Sequence, residues 1–260
     1  MRIGYDVVGN IAIIKFDRTA SVSSKKKFAS VYLKKHKSVS TVVEKIGKFS
    51  GRLRTLKTKF LAGEKTLEAF YRENGCEFRF NVETCYFSPR LSEERKNIAS
   101  FVKNRERVLV MFSGVGPFSI VIAKNSNASE VYSVELGKEC CKYAVENVKR
   151  NKLIGVVKVV QGDVRKVVGK GKKVSGTFDR IVMTRPNLFD SFLDVAFKVC
   201  KKGTVIYYYG FYLEEEKVKI KELIETESKK AGKKVKILRV VKAGDIGARK
   251  FRYRVDFKTL

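Results

Sequence analysis

The segment at 108–124, VLVMFSGVGPFSIVIAK, carries the strongest chemical signal in the chain. An apolar strand runs into Ser113-Gly114-Val115-Gly116 and then into a helix. Glycines let backbone approach a ligand closely there, and the N–H groups of the helix start face the same point. A second apolar strand ends in Glu135, 21 residues after Gly114, where a carboxylate can accept hydrogen bonds from both hydroxyls of a ribose. A third ends at Gln161-Gly162-Asp163, where a carboxylate can reach an adenine amino group. Glycine, Glu and Asp at three successive strand ends read together as a cradle for an adenosine-containing cofactor. Nicotinamide dinucleotides and S-adenosylmethionine both fit the first two. Asp163, and Ser119 where the dinucleotide pattern has its third glycine, favour S-adenosylmethionine. The alternative is that these are ordinary polar residues at strand ends.

Other chemistries are poorly supplied. Cys76, Cys85, Cys140, Cys141 and Cys200 show no CxxC spacing, and His36 is the sole histidine, so neither a zinc site nor a Ser-His-Asp triad is expected. His36 lies among lysines and reads as a surface residue. Catalysis must then rest on carboxylates, arginines, hydroxyls, backbone groups or a cofactor.

These residues need a doubly wound sheet to bring them together. From Leu91 onward, the runs RVLVMF, EVYSVE, VVKVVQ, DRIVMT and TVIYYYG read as buried strands. Helices are expected near 117–125, 138–150, 188–200 and 213–230, and KVKILRVV and KFRYRVDF add two strands at the end. SEERKNIASFVKN reads as a helix capped by Ser92, with Glu93 and Glu94 in its first turn. Ahead of it, YDVV and IAIIKF flank a Gly-Asn turn, a basic helix covers 22–37, and strands follow at 41–46, 53–61 and 76–82. The expected class is α/β: a small basic α/β domain over 1–88, and a class I, Rossmann-like methyltransferase domain over 89–260. RKVVGKGKKVSG at 165–176 reads as a flexible basic loop.

The formal charge is +29, from 56 Lys and Arg against 27 Asp and Glu. Residues 1–60 hold 15 basic and 3 acidic residues and residues 229–260 hold 12 and 2, so nearly all the excess lies at the two ends. A near-neutral body flanked by basic surfaces suits a polyanion partner whose phosphates those surfaces grip. No apolar run of 18 residues and no secretion signal is seen, and a cytoplasmic monomer is expected.

The chain resembles the Rossmann-type tRNA (guanine-37-N1)-methyltransferases of archaea and eukaryotes along nearly its whole length. The resemblance rests on YDVVGNIAIIKF, LAGE at 61–64, ENGCEFRFNVETCYFSPRLSEER at 73–95, MFSGVGPFSI at 111–120, VYSVEL at 131–136, FDRIVMTRP at 178–186 and GARKFRYRVDF at 247–257. It implies S-adenosylmethionine as cofactor, held by Arg95, Phe112, Gly114, Gly116, Glu135, Leu136, Asp163, Val164 and Thr184, and the anticodon stem-loop of tRNA as partner. Family members usually carry a further small N-terminal domain, and this sequence starts at the second.

Methylating guanine N1 requires a base for the N1 proton and a cation near O6, where negative charge builds. By resemblance Glu94 is the general base. From the residues alone it reads as a first-turn carboxylate answering the helix dipole. Arg54, 40 residues earlier, has the spacing of the family's O6-stabilising arginine. Tyr86 matches an aromatic position that packs on the target base. Thr184 and Pro186 stand where cofactor and base meet, and the family reads Asn at the position of Thr184. An archaeal branch methylates C7 of the tricyclic wyosine precursor made from the same guanosine, which is the alternative or additional substrate. A dehydrogenase or a non-catalytic RNA-binding protein are the readings from other classes.

Overall fold

The computed structural model describes residues 4–17, 19–184 and 189–260. Pro186 of the expected site lies outside them.

The chain opens with β1 (Gly4–Val8) and β2 (Ile11–Lys15), an antiparallel pair about the expected Gly9-Asn10 turn. Gly9 has a left-handed φ of 59°, and a Cβ there would stand 1.8 Å from the Phe70 carbonyl oxygen, so no other residue fits. Helix α1 (Val22–Lys35) crosses to β3 (Thr41–Ser50), parallel to β2, and β4 (Thr55–Gly63) closes a four-stranded sheet. Strand β3 runs four residues past the expected 41–46 and β4 is shifted two residues along from the expected 53–61, and together they make a long hairpin whose turn presents Arg52, Leu53 and Arg54.

The hairpin of β5 (Glu68–Glu73) and β6 (Cys76–Asn81) follows. Strand β5 was not expected, because TLEAFYRE lacks a clean alternation. The free edge of β6 is completed by two side-chain amides from α4 (Lys138–Arg150) and its C-cap. Asn147 Oδ1 accepts the Arg79 N–H at 2.8 Å and its Nδ2 donates to the Arg79 carbonyl at 3.1 Å. Asn151 does the same for Glu77, at 2.9 and 2.7 Å. Spaced four apart on one helix, the amides meet alternate residues of a strand edge, which would otherwise leave buried backbone unpaired. One core runs from Val8, Ile11 and Val43 through Phe78 and Phe80 to Val110 and Ile120, so the hairpin packs on both sheets.

After a 3-10 turn at Pro89–Leu91, α2 spans Ser92–Phe101. The helix is entered from Leu91 without a side-chain cap, and Ser92 is already helical. The expected Ser92 cap is therefore corrected: the Ser92 N–H donates to the Pro89 carbonyl of the preceding turn, and Ser92 accepts from Asn74 Nδ2. Glu93 and Glu94 do occupy the first turn.

The large sheet contains β7 (Arg107–Met111), β8 (Glu130–Glu135), β9 (Val157–Gln161), β10 (Phe178–Met183), β11 (Cys200–Leu213), β12 (Val235–Gly247) and β13 (Lys250–Thr259). Their spatial order is β12-β13-β11-β10-β7-β8-β9, all parallel from β9 to β11, with β13 antiparallel to both its neighbours. The order reverses between β7 and β10, and ligands bind doubly wound sheets at that reversal, beyond the strand C-termini. Helix α3 (Pro117–Asn125) and α4 follow β7 and β8, α5 (Val164–Val167) follows β9, α6 (Leu193–Phe197) precedes β11, and α7 (Lys217–Lys230) precedes β12. The expected loop at 165–176 begins inside α5, and a bridge from Val168 to Val174 closes it. No helix among the described residues is long and apolar enough to cross a membrane.

Candidate active site

A cleft of about 1140 Å³, part of it open to solvent, lies over the C-terminal ends of β7, β8, β9 and β10. It is lined by Arg54, Tyr86, Arg95, Phe112, Gly114, Glu135, Leu136, Asp163, Val164 and Thr184, so most of the residues expected from the sequence meet in one place. Gly116 stands just behind, as the left-handed N-cap of α3.

The glycine turn is built from backbone in left-handed conformation, with φ of 63° at Phe112, 58° at Gly114 and 86° at Gly116. Phe112 is the costly member, being neither Gly nor Asn. Thr184 helps to hold it: its hydroxyl lies 3.0 Å from the Phe112 carbonyl oxygen and 3.2 Å from that of Met111. A hydroxyl has one proton, so Thr184 spends its donor on the turn and offers the cleft only acceptor lone pairs. Among the described residues, the buried Ser113 Oγ has no hydrogen-bond partner, and Ser113 lines the cleft. An orphaned hydroxyl at this turn fits a polar ligand.

Glu135 is fixed at both oxygens, accepting from Gly114 N–H at 2.8 Å and Gly137 N–H at 2.7 Å. Carboxylate oxygens carry further lone pairs, so the group arrives oriented and still able to accept. Asp163 caps α5 by accepting from Arg165 N–H at 2.9 Å, and its other oxygen pairs with Arg52 at 2.6 Å. Burial pushes the Asp163 carboxyl up, but the Arg165 N–H and Arg52 outweigh it and hold the group below its ordinary range. The Arg52 contact was not legible in the sequence, since it joins residues 111 positions apart.

At the other end of the cleft, the Arg54 guanidinium stacks on the Tyr86 ring at 3.6 Å from its centroid, and Phe49 meets Tyr86 edge-on at 5.0 Å. Arg95 is 1 % exposed and forms a two-pronged ion pair with Glu73, its Nη2 at 2.5 Å from Glu73 Oε2. It also donates to the Ser88 carbonyl at 3.1 Å, which ties the SPRL segment to the cleft wall.

Glu94 sits behind the wall. It is buried, and its Oε1 accepts from the Tyr209 hydroxyl at 2.6 Å and from Arg254 Nη1 at 2.5 Å. Tyr209 itself lines the cleft. Burial, then the adjacent Glu94 carboxylate, raise the Tyr209 phenol well above its ordinary value. Arg254 also pairs with Asp256 at 2.6 Å, and Asp256 with Arg239. Burial lowers the Arg254 guanidinium, but Glu94 and Asp256 more than reverse that. Arg252, two residues earlier on β13, lines the cleft between Tyr86 and Phe211. Tyr209, Arg252 and Arg254 were missed because they lie on strands beyond the three that the glycine fingerprint predicts. The alternation in KFRYRVDF was the one available signal. Among the described residues, no group of His, Cys, Asp and Glu could hold a metal ion.

Two sequence-family patterns match the chain up to residue 240. The TYW2 N-terminal domain matches residues 1–66, and the TRM5/TYW2 methyltransferase domain matches residues 69–240. The tRNA (guanine(37)-N(1))-methyltransferase Trm5b of Pyrococcus abyssi is 35% identical over 261 residues, covering 98% of this chain and 74% of the relative. Its crystal structure superposes with a TM-score of 0.86 at 33% identity, over 98% of this chain and 74% of that one. The tRNA (guanine(37)-N(1))/4-demethylwyosine(37)-methyltransferase Taw22 of Nanoarchaeum equitans is 33% identical over 302 residues, covering 98% of this chain and 99% of the relative. M. jannaschii TYW2, solved in complex with AdoMet, superposes with a TM-score of 0.72 at 26% identity, over 99% of this chain and 100% of that one. With the cleft, its carboxylates and its glycine turn in the order the fold demands, the chain belongs to the TRM5/TYW2 methyltransferase family.

Proposed function

We propose that the protein transfers a methyl group from S-adenosylmethionine to N1 of guanosine 37 of tRNA. The observation that carries this reading is one cleft with a ribose-type carboxylate, Glu135, and an adenine-type carboxylate, Asp163, at one end, and the Arg54–Tyr86 stack at the other. Phe112, Gly114, Leu136, Val164 and Thr184 line the donor's end, with Gly116 supporting the turn and the buried Arg95 closing the wall. The orphaned Ser113 hydroxyl fits a donor rich in polar groups.

When bound, S-adenosylmethionine supplies an electrophilic methyl group and departs as a neutral thioether. The chain's residues make N1 nucleophilic. Tyr86, with Arg54 stacked on it, forms a platform for the flipped base. Arg54 donates to O6 as charge grows there. The N1 proton leaves toward Glu94, reached through the Tyr209 hydroxyl that lines the cleft and already donates to Glu94 Oε1. Thr184 holds the glycine turn.

Residues 1–88 serve as the RNA-gripping unit and residues 89–260 as the catalytic one, in a cytoplasmic monomer that holds the anticodon stem-loop. Helix α1 and the β3–β4 hairpin carry most of the basic excess of the first unit. A Glu94→Gln variant that binds donor and tRNA normally but loses methylation supports the reading; unchanged methylation would sink it.

A second reading, C7 methylation of the wyosine precursor in addition to N1, is favoured by one observation. The Nanoarchaeum equitans relative whose name gives both activities is covered over 99% of its length.

A further inference from the structure

Strand β13 lays Arg252, Arg254 and Asp256 two residues apart, so all three side chains fall on one face of the sheet. The charges of this row can be followed one by one. Asp256 pairs with Arg254 and Arg239, and Arg254 pairs with Glu94. Arg252 differs. It is 8 % exposed, yet among the described residues no carboxylate pairs with it. The groups facing it are the Tyr86 hydroxyl from the segment after β6, Arg54 from the β3–β4 turn, Tyr209 and the Phe211 ring from β11, the ring centroid 5.3 Å away. Arg54 adds a second positive charge where a first is already unpaired. Burying a cation beside another without a counter-ion opposes folding. An arrangement of this kind persists where the missing anion comes with a ligand.

We propose that Arg252 is a second catalytic guanidinium, which with Arg54 binds the anionic oxygen that develops on the target base as its ring nitrogen loses a proton. This rests on the proposed methylation of a purine ring nitrogen. Charge on that oxygen grows only as the N1–H bond breaks, so a cation held there lowers the barrier more than it tightens ground-state binding. Arg252 suits the role better than a surface arginine would. Its strand is hydrogen-bonded on both sides, to β11 and β12, which fixes its position before the base arrives.

The test compares wild type, Arg252→Met and Arg252→Lys on unmodified tRNA, with kcat, tRNA KM, donor affinity and melting temperature measured for each. Arg252→Met is expected to lose about 100-fold in kcat, with tRNA KM and donor affinity changed by less than about 3-fold. Arg252→Lys recovers part of the loss. Removing an uncompensated buried charge should leave the melting temperature unchanged or raise it. The Arg252→Met deficit should also shrink at alkaline pH, where solvent takes the N1 proton unaided. A kcat within about 3-fold of wild type, a loss confined to tRNA KM, or a fall in melting temperature with lost donor binding would each overturn the inference. A wild-type enzyme that forms no 1-methylguanosine would instead overturn the reading beneath it.

Discussion

Arg52, on the β3–β4 turn, forms a 2.6 Å ion pair with Asp163 beyond the end of β9 in the large sheet. The pair joins the β3–β4 turn to the end of β9 within the cleft lining, and Arg54 lies on the same turn. The end of the cleft assigned to adenine and the turn assigned to the target base are thereby joined through two residues.

Asp163→Ala should weaken donor binding by about tenfold, the value of one charge-assisted hydrogen bond. Arg52→Ala should change donor binding by less than that, because Asp163 keeps its hydrogen bond to Arg165 N–H. Calorimetric titration with S-adenosylmethionine checks both. Because the Asp163 carboxyl is held below its ordinary range, its stabilising contribution is complete above about pH 4 and fades as pH falls through the folded-state value. Donor affinity should therefore be flat between about pH 6 and pH 8 as far as Asp163 is concerned.

Glu94→Gln should reduce kcat by about 100-fold or more, and Tyr209→Phe by a smaller factor, with donor affinity preserved in both. Single-turnover methylation at saturating donor is the measurement. Wild-type kcat in Tyr209→Phe would remove Tyr209 from the proton path. Wild-type kcat in Glu94→Gln would return Glu94 to the helix-dipole role that its sequence position alone suggests.

Arg95→Met should destabilise the protein by about 3–5 kcal/mol, because it leaves the Glu73 carboxylate buried and unpaired. Urea unfolding measures this, and a second change, Glu73→Leu, should restore much of the loss. A single-variant cost below about 1 kcal/mol would mean that the pair is dispensable to the fold.

Affinity for tRNA should fall steeply with salt, since most of the basic excess lies in residues 1–60 and 229–260. Replacing Lys45, Lys48, Lys57 and Lys59 with Ala should lower the slope of log affinity against log salt by up to about 4. An unchanged slope would place the phosphate grip elsewhere.

The end of the cleft proposed for the donor was legible because each of its residues ends or follows a strand of strong apolar pattern. Gly114, Glu135 and Asp163 are set by the βα repeat itself, and the cleft joins them as the repeat requires. The base half was legible only by resemblance. Glu94 looks like any first-turn carboxylate until Tyr209 and Arg254 are seen on it, 115 and 160 residues away. Strand β5 escaped notice because TLEAFYRE lacks a clean alternation, and the edge of its partner β6 is completed by asparagine side chains on a distant helix rather than by a neighbouring strand with its own pattern. Thr184 shows the reverse. Its type is a departure from the family pattern, and its hydroxyl is turned to the Met111 and Phe112 carbonyls rather than to a base edge.

The most direct test of the account is the product itself. Purified protein, incubated with unmodified guanosine-37 tRNA and isotopically labelled S-adenosylmethionine, is digested to nucleosides and read by mass spectrometry, beside a parallel reaction on tRNA carrying the wyosine precursor. Label is expected in 1-methylguanosine at position 37. Label confined to the tricyclic base, or in neither, would contradict it.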